Sequence, residues 1–303
     1  MQIDFLTLEE YTALGLEPSN AFGSTDFLRL NRDKCQRVIA AVGDGRVGIV
    51  FGENDGVLCA PWSAPYLSLQ SVNDCSVGEI REFGYNLRES LGNRKTRLIF
   101  PPKIYNGPEK NLLEGVLRHD DIVLADTSFY IPLAESEGEK GWNKSARRNL
   151  KRGQEAGLKA ERSDDFRECY NLIANHHASL GYNMAMTAEA VYDTSRIIPI
   201  DFWIVRLEGH AVAAMYCYRV RRDIVQVISS GDTPRGREVG AAMFMERSII
   251  DHYRSELVEK KGIKDAILDH GPTSVNAIQN EGLAAFKKSF GCLMTPKYTI
   301  KNY

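Results

Sequence analysis

Residues 237–242, Arg237-x-x-Gly240-x-Ala242, combine types and spacing that could do chemistry. They follow a strand-like run, Ile224 to Ser229, and a turn bearing Gly231 and Gly236. A helical pattern then begins near Val239, with Ala241, Ala242, Met243, Met245 and Ile249 at apolar positions. A strand, a glycine-bearing turn and a helix N-terminus together aim unpaired backbone N–H groups and the positive end of a helix dipole at a phosphate. Gly240 and Ala242 leave room for the backbone to come close. Asp232 lies just past the strand, and Asp269-His270 end the next one. Any of the three could serve as a base, and both aspartates could equally cap turns.

A second concentration of charge runs from Lys144 to Arg162, with seven basic and two acidic residues. Lys144, Arg147 and Arg148 could hold an anion, or they could form the solvated face of a helix whose Trp142, Ala146 and Leu150 recur on one side. Lys287 fits either a buried anion partner or a structural ion pair. His176 and His177 are adjacent on a helix and point in different directions, which argues against a shared metal. No metal is expected.

The elements that must position these groups are short and alternate in type. Strands are expected at Phe202–Leu207, Val212–Tyr218 and Ile224–Ser229, the first two joined at Glu208-Gly209. Upstream, Arg37–Val42 and Arg46–Phe51 flank Gly43-Asp44-Gly45, a hairpin signal. Further strands are read at Gly56–Ala60, Tyr66–Leu69 and Thr96–Phe100, and a helix at Val77–Leu91. The polar segment Glu135–Gly141 marks a boundary between domains at 1–134 and 135–303. Each half shows leading helices, a hairpin-rich sheet, a long helix, a strand ended by a Pro-containing turn, a short helix and a closing strand. The expected closing strands are Ser128–Leu133 and Tyr298–Ile300. The class is α/β (α+β), a mixed, mostly antiparallel sheet flanked by helices in each half. Only the second half carries the Arg-x-x-Gly-x-Ala stretch.

Composition bounds the function classes. Of 303 residues, 43% are hydrophobic and 26% charged, as in ordinary globular proteins. A net charge of −2 and a pI near 6.3 give no global attraction to nucleic acid or membrane. The acidic start, MQIDFLTLEE, does not read as a signal peptide, and no apolar run is long enough to span a bilayer. Six cysteines without a CxxC pair fit reduced thiols. A cytoplasmic location is expected.

The stretch Arg237-x-x-Gly240-x-Ala242 resembles the pyrophosphate loop of GNAT acyltransferases, Gln/Arg-x-x-Gly-x-Gly/Ala, which grips coenzyme A. Trp142-x-x-Ser145-x-Arg147-Arg148-x-Leu150-x-x-Gly153-x-x-Ala156-Gly157-Leu158 resembles the start of the second domain in Fem-type (FemAB-like) aminoacyltransferases and their acetyltransferase-like relatives. So do Asp269-x-Gly271 and Gly282-Leu-x-x-Phe286-Lys287-x-x-Phe290-Gly291. The resemblance implies two tandem GNAT folds with the active site in the second. It implies acetyl-CoA or another acyl-CoA as co-substrate, held at Ile228, Ser229 and Ser230 and at Arg237, Gly240 and Ala242. A backbone N–H of the splayed strand would polarise the carbonyl. The acceptor would be a small-molecule or cell-wall-precursor amine. The rival expectation is a Fem-type enzyme drawing on aminoacyl-tRNA, and a third is a non-catalytic module of GNAT fold. No coiled-coil arm of the kind tRNA-reading Fem enzymes carry interrupts residues 142–303, and Phe286 and Phe290 stand where many GNAT enzymes have a tyrosine acid.

Overall fold

Three tight turns set the antiparallel parts of the sheet. Asp44-Gly45, Asp55-Gly56 and Glu208-Gly209 all have positive φ at both central positions, the conformation whose twist matches paired strands. In the computed structural model, which describes residues 1–303, the chain forms two units. One comprises residues 1–127, 274–278 and 295–303, and the other residues 128–273 and 279–294.

The first unit contains β1 (Ile3–Leu6), α1 (Leu8–Thr12), α2 (Thr25–Leu30), β2 (Arg37–Gly43), β3 (Val47–Asn54) and β4 (Val57–Ala60). It continues with α3 (Val77–Leu91), β5 (Lys95–Ile99) and α4 (Glu109–Val116). β1 to β4 pair antiparallel in chain order, and β4 pairs parallel with β5. That change of direction is bridged by α3, which a Ser76–Glu79 capping box opens and Gly92 closes. The apolar stripe Ile80, Phe83, Leu87 and Leu91 faces Ile39, Ile49, Phe51 and Leu58 in one core. The strand expected over Tyr66–Leu69 is replaced by a short one at Gln70–Ser71. Tyr66, Leu67 and Leu69 are buried without strand geometry.

The second unit runs through β6 (Ile122–Pro132, of which Ser128 onward lies here), α5 (Lys144–Glu155), β7 (Lys159–Arg162), α6 (Phe166–Ser179) and α7 (Ala188–Ser195). Then come β8 (Ile200–Leu207), β9 (His210–Arg221), β10 (Ile224–Asp232), α8 (Pro234–Val239), α9 (Ala241–Tyr253), β11 (Ile267–Pro272) and α10 (Glu281–Ser289). The strand order is β6-β11-β10-β9-β8-β7, antiparallel except for β10 with β11. β7 was not foreseen. It is an edge strand whose Lys159, Glu161 and Arg162 are exposed, so it lacks the apolar alternation that marks a strand in sequence. Where a loop was expected after β10, Thr233 caps a helical turn with Pro234 at its first position.

The closing strands are exchanged relative to the sequence expectation. β12 (Leu293–Lys301) comes from the end of the chain, yet its Thr299–Lys301 pair antiparallel with Arg97–Ile99 of β5 in the first unit. Residues 128–132 of β6 follow the first unit in sequence, yet pair with β11 in the second. Each unit is completed by a segment from the other half of the chain. Deleting residues 295–303 should therefore expose the β5 edge and remove the buried Ile300. In limited proteolysis the truncated chain should be cut first within residues 1–127, with a fragment of residues 128–294 persisting. Earlier loss of the second unit would contradict this exchange.

Candidate functional site

β10 is the element around which the site forms. Its parallel pairing with β11 covers Ile224, Val225 and Gln226, opposite Ile267, Leu268 and Asp269, and stops there. From Val227 to Asp232 the strand continues on β9 alone, so the backbone groups on its other edge lack a strand partner. The register against β9 shifts between Cys217↔Val227 and Tyr216↔Ser229, leaving Ile228 as the extra residue of a bulge. The expected contact residues Ile228, Ser229 and Ser230 thus lie on the open half of the strand.

Asp269 fixes where the strands part. Its carboxylate accepts from the Gly271 N–H (2.8 Å), the Gln226 amide (3.0 Å) and the Ser128 hydroxyl (3.5 Å), and it is almost fully buried. A carboxylate so engaged is a structural anchor. His270, beside it, points into the core against the Phe290 ring, 5.2 Å between centroids. Its Nε2 lies 3.7 Å from Oε2 of Glu246 on α9, and neither atom has a hydrogen-bond partner. Burial pushes Glu246 up to about 8 and His270 down to about 3. Near neutral pH the two face each other uncharged, so their proximity is not an ion pair. Lys287 on α10 donates to the carbonyls of His270 (2.5 Å), Gly271 (3.0 Å) and Pro272 (3.4 Å), and burial lowers it to about 8. It clamps the end of β11 and is turned away from any exposed anion. Asp269, His270 and Lys287, expected among the reacting or binding groups, are brought together in the core.

At the far end of β10 the chain turns into α8 and α9. The Thr233 hydroxyl accepts from the Gly236 N–H at 3.0 Å. Gly240, at φ +77°, separates the two helices, and α9 begins at Ala241 with no side-chain cap. Its first N–H groups, from Ala241 to Met243, therefore have no side-chain acceptor. The Gly240 side that was expected to face a phosphate faces protein: a Cβ there would lie 2.1 Å from the Asn149 carbonyl oxygen. The absent side chain allows α5 to pack on the α8–α9 joint. Ala242 remains partly open. Arg237 is about half exposed, and its Nε donates to Asp232 at 2.8 Å.

α5 buries Ala146, Leu150 and Gly153, with Trp142 buried just ahead of it, and α9 packs against them. Arg152 donates to the Glu238 carbonyl of α8 at 2.6 Å. Lys144, Arg147 and Arg148 are exposed and form no ion pair. The Arg237–Ala242 stretch and the basic helix, separate in sequence, are neighbours.

The histidines set aside in sequence belong to this region. Both lie one turn beyond the buried Ile173 of α6, three and four residues on, and so flank the stripe that faces the sheet. His176 Nδ1 sits 2.9 Å from the Asp232 carbonyl and 3.1 Å from its carboxylate. His177 Nε2 lies 3.3 Å from the Ser229 hydroxyl. Burial, and then neighbouring His176, lower the His177 pKa from its ordinary value. Gly231 permits this approach, because a Cβ there would lie 2.7 Å from that of His176. The spacing from Ile173 was the available signal.

No family model matches the sequence, and no curated protein matches it. Solved structures do. FemX is similar over 100% of this chain and 97% of its own, with a TM-score of 0.65 at 12% identity. L-PGS of Bacillus licheniformis is similar over 96% and 90%, at 0.55 and 13%. A tandem GNAT protein from the clavulanic acid biosynthesis pathway is similar over 100% and 99%, at 0.52 and 9%. The chain has the tandem GNAT-like fold seen in these structures.

The folded chain holds a proton on Glu246 between its ordinary value of 4.5 and about 8, where the unfolded chain does not, so this group lowers stability as pH rises through that window. Glu246→Gln removes the effect. The melting temperature of the variant minus that of the wild type should grow steadily from about pH 5 to about pH 8. A flat difference would mean that Glu246 does not hold a proton in the fold.

Proposed function

We propose that the protein is an acyl-coenzyme A-dependent N-acyltransferase whose donor lies along the open half of β10 with its phosphates at the N-terminus of α9. The observation that carries this reading is the parting of β10 and β11 after Gln226, next to a helix start with no side-chain cap. A thioester laid against Val227–Ser230 meets backbone N–H groups able to polarise its carbonyl, and attack by a neutral amine needs no further cofactor. Arg237, through its exposed guanidinium, adds positive charge beside the phosphates. The amine acceptor is a small molecule or a cell-wall precursor. The tandem GNAT fold, shared with FemX, supports a transferase.

A second reading is Fem-type transfer from aminoacyl-tRNA. It is favoured by Lys144, Arg147 and Arg148, which stand unpaired on α5 beside the same helix start.

Calorimetric titration separates the two. Acetyl-coenzyme A should bind the wild type with a micromolar dissociation constant. Ala242→Glu puts a carboxylate where the phosphates would sit and suits the helix dipole, so it should fold normally and bind at least about tenfold more weakly. Arg237→Ala should weaken binding less. Absence of acetyl-coenzyme A binding, with salt-dependent tRNA binding lost on replacing Lys144, Arg147 and Arg148 by Ala, would favour the second reading.

A further inference from the structure

We propose that His177 is the catalytic base that takes the proton of the acceptor ammonium; the inference rests on the acyl-coenzyme A reading above. Amines that are ammonium ions at neutral pH cannot attack a carbonyl until they lose a proton, so a base must lie beside the reacting carbon. The open edge of β10 begins at Val227 and the bulge at Ile228. Ser229 is the next residue, and His177 Nε2 stands 3.3 Å from its hydroxyl. His177 is only partly buried, so its imidazole is within reach of an incoming amine.

The other groups near the strand are committed elsewhere. Asp269 is saturated by Gly271, Gln226 and Ser128, and His270 is enclosed in the core. Asp232 is shared between His176 and Arg237. This last pairing has a second effect. His176 ties the end of α6 to the end of β10, and Gly231 lets the two backbones close up, so the ring of His177 is held in place by its neighbour. The charged and titratable groups around it are His176 on α6, Asp232 on β10 and Arg237 on α8, with the buried phenol of Tyr216 opposite Ser229 in register. The lowered pKa keeps the imidazole in its free-base form at neutral pH.

His177 Nε2 accepts one proton from the ammonium. The freed nitrogen attacks the thioester carbonyl carbon, the C–N bond forms and the C–S bond breaks. The second nitrogen proton leaves with the thiolate as free thiol, and the imidazolium returns its proton to water.

The test uses the full chain labelled with 15N at histidine, titrated with acetyl-coenzyme A, together with a His177→Gln variant. Binding should move the His177 Nε2 resonance, and the variant should bind acetyl-coenzyme A within about twofold of wild type while losing at least about 100-fold in thiol release with 2-aminoethanol as acceptor. Hydroxylamine, already neutral at pH 7, needs no base, and the variant should use it within about threefold of wild type. Acetyl-coenzyme A that binds without moving His177 Nε2 would overturn the assignment and leave the donor reading intact, as would equal loss with both amines. If neither amine is turned over by wild type, the Nε2 resonance decides. No binding to wild type would remove the donor reading and this inference with it.

Discussion

The site depends on one buried carboxylate. Asp269 faces Gln226 at the last paired position of two parallel strands and holds the Gly271 N–H that turns β11 aside. A strand pair that continued would satisfy its own backbone and leave nothing for a ligand. Because Asp269 accepts side-chain and backbone donors at the point of parting, β10 keeps its ladder with β9, while its other edge has no strand partner beyond Gln226. Lys287 reinforces the end of β11 through three successive carbonyls. The cost of burying an ammonium is visible in its lowered pKa and is offset by those hydrogen bonds and by the carboxylate nearby.

Close backbone approach does the rest. Gly240 and Gly231 lie at opposite ends of the turn between β10 and α9, and each admits a helix: α5 at Gly240, α6 at Gly231. The first brings a basic face beside the start of α9, and the second brings two imidazoles to the open strand. Three helices thereby gather around the turn that follows β10, and each bears different groups: cationic side chains on α5, imidazoles on α6, an N-terminus without a side-chain cap on α9.

Much of the fold was legible because its signals are local. The turns at Asp44-Gly45 and Glu208-Gly209 and the stripe of α5 are each readable from neighbouring residues, and the strand triplet of the second unit stands where it is expected. What was not legible depends on partners distant in the chain. Nothing in Ser128–Leu133 or Tyr298–Ile300 says which sheet each will close, since both are short apolar runs that fit either edge, and the structure exchanges them. The charged strand Lys159–Arg162 gave no alternation. Asp269 and His270 read as reactive from their place at a strand end, but only the packing of α9 and α10 shows that they are enclosed. His176 and His177 considered only as a pair on a helix give no direction, whereas their relation to the buried Ile173 decides which way they face.

The most direct measurement is amide hydrogen exchange with and without acetyl-coenzyme A. Slowed exchange is expected at two places at once, the open half of β10 from Val227 to Asp232 and the first turn of α9 from Ala241 to Met243, with the remainder of the second unit little changed. Protection confined to other segments, with these two unaltered by the bound ligand, would contradict it.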